Sequence, residues 1–169
     1  ISEYLNSIGL KSKWVDARSC IKTDQYYRDA NVDFEKTSKS IKRKIKGKGL
    51  FISQGFIGSN KKLFTTTLGR EGSDYSAAIF AHALNAESVT ICKDVRGVLN
   101  ADPRYFNKTK LLNKISYEEA IELAFYGASV IHPKTLQPLK KKKIPLYVKS
   151  FLSPSREGTV ISKKDHKVK

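Results

Sequence analysis

The run Thr65-Thr66-Thr67-Leu68-Gly69-Arg70-Glu71-Gly72-Ser73-Asp74 gathers hydroxyls, two glycines, a guanidinium and carboxylates just ahead of the apolar stretch Tyr75 to Leu84. Such a set handles anions. Gly69 and Gly72 can take backbone angles closed to other residues, and Ser73 and Asp74 are good helix N-caps. The Ala-rich segment that follows predicts a helix whose first amides face the loop, a place that suits a carboxylate or a phosphate. Arg70 adds a planar fork able to donate two parallel hydrogen bonds to a carboxylate.

Positioning this loop requires elements on both sides. Upstream, Leu50 to Phe56 predicts an apolar strand entering the glycine turn Gly55-Phe56-Ile57-Gly58, with Lys61-Lys62 in the link to the Thr65 loop. Before it, Ile1 to Ile8 predicts the end of an amphipathic helix stopped by Gly9, Trp14 to Arg18 a short strand, and Glu35 to Ile45 a basic helix. Downstream come a strand over Ser88 to Cys92, a turn-rich stretch through Arg104, and helices over Tyr117 to Tyr126 and Pro133 to Lys140. Pro145 to Lys149 returns as a strand before a turn at Ser153-Pro154-Ser155. Alternating strands and helices imply an α/β fold with a mainly parallel sheet.

The 169 residues suffice for one domain with a core. Thirty-two basic against sixteen acidic residues give a formal charge of +16, which raises nucleic acid as a partner. Against it, aromatics are not interleaved with the lysines and no nucleic-acid-binding motif is present, so solvated surface lysine is the preferred account. Cys20 and Cys92 are too few and too far apart for a disulfide framework or a metal cage; both read as buried hydrophobes in a reducing cytoplasm. No apolar run approaches the ~18 residues of a membrane helix.

Glu87-Ser88-Val89-Thr90-Ile91-Cys92-Lys93-Asp94-Val95-Arg96-Gly97-Val98-Leu99-Asn100-Ala101-Asp102-Pro103-Arg104 is similar to the nucleotide-binding stretch of aspartate kinases. Together with the Thr65–Asp74 block, with Gln54-Gly55-Phe56-Ile57-Gly58 and with Val130-Ile131-His132-Pro133-Lys134-Thr135, it identifies the chain by resemblance as a member of the amino acid kinase family, aspartate kinase branch. The likeness runs in order from about Trp14 to Thr159. It implies a three-layer α/β/α sandwich, incomplete at the N-terminus. Residues 1–161 would be the C-terminal portion of the catalytic domain, and 162–169 a polar tail toward a regulatory region. The Lys-Phe-Gly-Gly phosphate loop and the upstream acidic ligand for the substrate amino group have no counterpart here, so the fragment alone is expected to be inactive.

The resemblance implies transfer of the ATP γ-phosphoryl group to the side-chain carboxylate of L-aspartate, in lysine, threonine and methionine biosynthesis, by a cytoplasmic homo-oligomer. Mg²⁺ would arrive with ATP rather than in a protein cage. Arg70, Gly72 and Ser73 fall on the aspartate-binding motif, with Ser73 either bonding the substrate or capping the helix. Asp74 falls on the position that organises phosphoryl transfer, again with capping as the alternative. Phe56 would wall the aspartate pocket or fill the core. Glu71 stands where glycine is usual, facing solvent or substrate. For ATP, the resemblance carries over Lys93, Asp94, Leu99, Asn100, Ala101, Asp102, Pro103 and Arg104, with Asp102 and Pro103 shaping the turn and Leu99 replacing a common tyrosine. Ser129 stands where the family often has lysine, and Lys93 is a candidate replacement for that cation. His132 reads as a helix-entry residue. The alternatives are another amino acid kinase activity, or a basic nucleic-acid-binding module.

Overall fold

Short apolar runs broken by glycine and proline fold into two units, Ile1–Leu84 and Asn85–Lys169, in the computed structural model, which describes residues 1–126 and 130–163. The first unit contains α1 (Ser2–Ser7), β1 (Ser12–Trp14), α2 (Ala17–Cys20), α3 (Phe34–Lys44), β2 (Leu50–Ile52), β3 (Ile57–Ser59), β4 (Thr65–Thr67) and α4 (Gly72–Leu84). β1 and β2 pair in parallel, whereas β3 and β4 form an antiparallel ribbon with Gly58 opposite Thr66. The core gathers Ile21, Ile41, Leu68, Tyr75 and Ile79, with α3 laid against α4. Burial of such side chains contributes roughly 1.5–3 kcal/mol each.

Three expectations for this unit change. The strand expected over Leu50 to Phe56 ends at Ile52, and Ile57 and Gly58 of the expected turn lie in β3. Only Trp14 of the Trp14–Arg18 segment lies in a strand, because the Asp16 carboxylate accepts from Arg18 N at 2.9 Å and caps α2. The Thr65 segment is a strand rather than a loop. It pairs with β3, and chain from farther back holds its other side: Thr67 N donates to Tyr27 O at 2.7 Å, and Ala30 N to Thr67 O at 2.9 Å. The ribbon's other edge is held likewise, with Ser59 N bonded to Ile21 O and Thr23 N to Ser59 O, each at 2.9 Å. Glycine is needed at 58 for that approach, since a Cβ there would lie 2.9 Å from Ile21 O.

The second unit contains β5 (Val89–Lys93), β6 (Lys114–Ser116), α5 (Tyr117–Phe125), α6 (Pro133–Lys142), β7 (Leu146–Ser150) and β8 (Thr159–Ser162). Its sheet runs β5-β7-β8-β6, parallel in the β5–β7 and β6–β8 pairs and antiparallel between β7 and β8. Ser116 and Glu119 form a reciprocal capping box at the start of α5. Tyr117 is buried, and its hydroxyl donates to Ile144 O at 2.5 Å. Burial, helped by the charge of Glu118, pushes that phenol up to about 12. His132 caps α6, its Nδ1 accepting from Lys134 N at 3.2 Å, as a helix-entry residue should. Cys20 is buried as expected, but Cys92 is exposed because it falls on the outward positions of β5. Among the described residues, no helix is long and apolar enough to cross a membrane.

Candidate active site

The Gly69–Asp74 turn is built from close backbone approaches. Gly69 has φ +76°, and a Cβ there would fall 2.2 Å from Oδ1 of Asp29, so this carboxylate lies against the turn. Glu71 follows with φ +53°, a left-handed conformation that costs an L-residue about 1–2 kcal/mol and that glycine accepts freely. The usual glycine at this position therefore has a conformational reason. Gly72 opens α4, with Gly72 N donating to Gly69 O at 3.1 Å and Tyr75 N to Glu71 O at 3.2 Å.

That opening changes the roles expected of Ser73 and Asp74. Both sit inside the first turn of α4, so neither is the N-cap residue. Ser73 is exposed and Asp74 half-buried, with its Oδ2 closed off from solvent. A carboxylate in the first turn interacts favourably with the helix dipole. Arg70 is exposed, and its guanidinium has no ion-pair partner among the described residues. Asp29 also acts on Tyr75, whose phenol is pushed up first by burial and then by this carboxylate.

A second loop is clamped onto the same helix start. Phe56 has φ +74° and lies 43% exposed, which removes it from the core. Its ring covers Gly72: a Cβ at 72 would be 2.7 Å from Phe56 Cδ2. Gly55 lies nearly as close to Ser73, whose Cα would be 3.0 Å from a Cβ at 55. The clamp is pinned by Ser76, which accepts from Phe56 N at 2.9 Å and donates to Gly72 O at 2.8 Å. Just upstream, Gln54 accepts from Ala17 N at 3.0 Å and donates to Asp16 at 3.2 Å. Phe56, Arg70, Glu71, Gly72, Ser73 and Asp74 are thereby brought together. Asp29 and Ser76 escaped the sequence reading; Ser76, one turn beyond Gly72, carried a spacing signal, and Asp29 carried none.

In the second unit the nucleotide-site candidates form a different kind of loop. Lys93 ends β5 half-buried, and Asp94 follows it exposed. Leu99 bridges to Leu111, while Asn100 N donates to Lys110 O at 3.0 Å and Asn100 Oδ1 accepts from Lys110 N at 2.7 Å. Beyond this closure, Ala101 and Pro103 flank Asp102, which accepts from Arg104 N at 2.8 Å and from its guanidinium at 2.7 Å. Hydrogen bonding to Arg104 holds the Asp102 carboxyl below its usual range. Asp102 shapes the turn as expected, and it also holds the arginine. Ser129 lies outside the described residues. Among the described residues, no group of three or more His, Cys, Asp or Glu is placed to hold a metal ion.

With this geometry in view, the kinship is plain: over residues 1–150 the chain matches the amino acid kinase family, and it belongs to that family. Within it, the chain is 39% identical over 165 residues to the lysine-sensitive aspartokinase 3 of Escherichia coli (strain K12), a match covering 96% of this chain and 37% of that protein. It is 36% identical over 171 residues to the aspartokinase of Rickettsia prowazekii (strain Madrid E), covering 98% of this chain and 38% of the relative. A solved structure of E. coli aspartokinase III in complex with aspartate and ADP, in the R-state, matches with a TM-score of 0.92 at 38% identity, over 98% of this chain and 38% of the other. The chain thus spans little more than a third of the length of these relatives. The α/β fold expected from sequence is the fold of this family.

Proposed function

We propose that the chain is part of an aspartate kinase, which transfers the ATP γ-phosphoryl group to the side-chain carboxylate of L-aspartate. The observation that carries this reading is the clamp of Gly55-Phe56 on the start of α4, which gathers Phe56, Arg70 and Ser73 at one exposed turn. The solved relative that it matches at a TM-score of 0.92 was captured with aspartate and ADP.

In this mechanism a carboxylate oxygen of aspartate attacks the γ-phosphorus, the bond to the β-phosphate bridging oxygen breaks, and ADP departs with that electron pair. The protein supplies position and charge rather than a covalent intermediate. Arg70 takes the second carboxylate of aspartate with its fork, Ser73 donates its hydroxyl to it, and Phe56 walls the pocket. Gly72 leaves room for the Phe56 ring to close over the turn, and Glu71 contributes its backbone rather than its carboxylate. Asp74 organises the transfer from the first turn of α4. Lys93 and Asp94 meet polar groups of the nucleotide, the 99–103 segment shapes its loop, and Arg104 meets phosphate by exchanging Asp102 for it. Such an exchange costs little, because exposed ion pairs contribute little. Mg²⁺ would arrive with ATP and supply charge neutralisation at its phosphates, and Lys93 replaces the cation that the family often carries at the position of Ser129. The intact enzyme works in the cytoplasm as a homo-oligomer in lysine and threonine biosynthesis.

The test is acyl phosphate trapping with hydroxylamine in the intact protein, given ATP and a panel of L-aspartate, L-glutamate and UMP, with ADP release followed in parallel. Hydroxamate with L-aspartate is expected. ADP release dependent on another acceptor, with none for aspartate, would move the chain to a different amino acid kinase activity.

A further inference from the structure

Of residues 94–104 only Gly97 and Val98 are buried; the rest of the loop is exposed or half-buried. What buries them is the start of β8. Val98 N donates to the side-chain Oγ1 of Thr159 at 2.8 Å, and Thr159 has no exposed surface. Gly97, with φ +146°, lets the two segments meet, because a Cβ there would fall 2.6 Å from Thr159 Oγ1 and 3.1 Å from Thr159 N.

Thr159 is itself placed by a glycine. Gly158 runs so close to β7 that a Cβ there would stand 1.8 Å from Val148 O. One residue further on, Val160 N donates to Asn113 O at 2.8 Å, and Leu112 N, beside Asn113, donates to Val98 O at 2.9 Å. The start of β8 thus holds the outgoing limb of the loop through Thr159 and the returning limb through Val160. At the root of the loop, Phe151 N, just past the end of β7, donates to Lys93 O at 2.9 Å. Of these bonds, that of Thr159 is the one a side-chain substitution can remove.

We propose that Thr159 is a positioning residue for the nucleotide: its hydroxyl sets where Val98 stands, and through Val98 where Leu99 to Arg104 meet ATP. The inference rests on the reading of residues 93–104 as the nucleotide segment. A buried N–H deprived of its acceptor is costly, so without the hydroxyl the loop leaves its place in a fraction of the molecules and finds water for Val98 N. A nucleotide must then select the molecules in which the loop is still seated, and its apparent affinity falls by that fraction. Recognition of aspartate by Arg70 and Ser73 uses none of these contacts.

The test compares, in the intact protein, Thr159→Val, which keeps the shape and removes the acceptor, with Thr159→Ser, which keeps the acceptor. Affinity for ADP with Mg²⁺ is read by calorimetry, and KM by hydroxamate formation with each substrate varied. Thr159→Val should weaken ADP about 5- to 30-fold and raise the KM for ATP by a similar factor, with the KM for aspartate changed by less than about twofold. Thr159→Ser should bring both nucleotide values back to within about threefold of the wild type. Equal rises in both KM values, or the same loss of ADP affinity in the serine variant, would make Thr159 a residue of general stability and overturn the proposal. Should Thr159→Val not fold, hydrogen exchange of the Val98 amide in the wild type decides: ADP is expected to slow it by selecting the seated loop, and an unchanged rate overturns the proposal. Wild-type protein that binds ADP and forms hydroxamate, beside a Thr159→Val variant indistinguishable from it, sinks this inference alone; wild-type protein that does neither sinks the kinase reading with it.

Discussion

The Gly69–Asp74 turn and the 94–104 stretch both follow strands and both carry an arginine proposed to meet an anion, yet they are held in opposite ways. The first has left-handed backbone at Gly69 and Glu71, another left-handed residue at Phe56, and glycine contacts that leave no room for a methyl group. Its arginine has no ion-pair partner among the described residues. The second is closed by paired backbone at Asn100 and Lys110, and its arginine is laid on its own neighbour, Asp102. A turn packed this tightly is positioned before its ligand arrives, while a self-paired exposed loop can exchange one partner for another. Rigidity suits recognition of one small acid; exchange suits a nucleotide that must enter and leave.

Several substitutions would break or sharpen this contrast. The largest effect is expected for Arg70→Lys in the intact enzyme: charge is kept but the fork is lost, so the KM for aspartate should rise about 10- to 100-fold with the KM for ATP nearly unchanged. Steady-state kinetics with each substrate varied checks it, and an unchanged aspartate KM would remove Arg70 from acid binding. Gly69→Ala combines a disfavoured φ with a collision against Asp29, and should destabilise by about 1–3 kcal/mol in denaturant titration.

Tyr117→Phe should cost about 0.5–1.5 kcal/mol through the lost bond to Ile144 O. Its pH dependence has a definite sign. The folded phenol titrates at about 12, above its ordinary value near 10, so its contribution is complete below pH ~10 and is lost as pH rises toward 12. Melting curves should show the wild type losing stability across that window and the phenylalanine variant losing less. Glu71→Gly relieves left-handed strain but adds freedom to the unfolded chain, so a net gain of about 0.5 kcal/mol is expected by denaturant titration. Smallest of all, Asp102→Asn should leave the melting temperature unchanged while releasing Arg104, a difference visible as a shift in the KM for ATP. A large loss of stability there would make the second loop as rigid as the first and dissolve the contrast.

Helices were the most legible part of this chain. The apolar run of α4 and Pro133 at the start of α6 mark their elements locally. The β3–β4 ribbon is illegible because its strands are three residues each and are held from outside: Thr67 is fixed by Tyr27 and Arg28, about forty residues earlier. The same limit applies to the site. Arg70, Gly72 and Ser73 are readable as a motif, but Asp29 reaches Gly69 through long-range pairing, its bridge to Leu68 and the bonds of Tyr27 and Ala30 to Thr67. The reading of Ser73 and Asp74 as caps failed by one or two residues, since hydrogen bonds from Gly72 and Tyr75 start the helix earlier. Cys92 was misplaced because composition alone does not say which face of β5 a residue occupies.

The chain between Ile21 and Ala30 bonds both margins of the β3–β4 ribbon, one through Ser59 and the other through Thr67. In terms of association, this covers each margin of the ribbon at one residue. An unpaired strand margin is a template on which another chain can add, and proteins guard against this with charges, bulges or covering segments. Here the covering segment also carries Asp29 to the Gly69–Asp74 turn, so the cover on the ribbon and the shaping of the proposed site are made by the same stretch of backbone. A variant that loosened residues 27–30 would therefore be expected to show a greater tendency to aggregate together with any loss of aspartate binding.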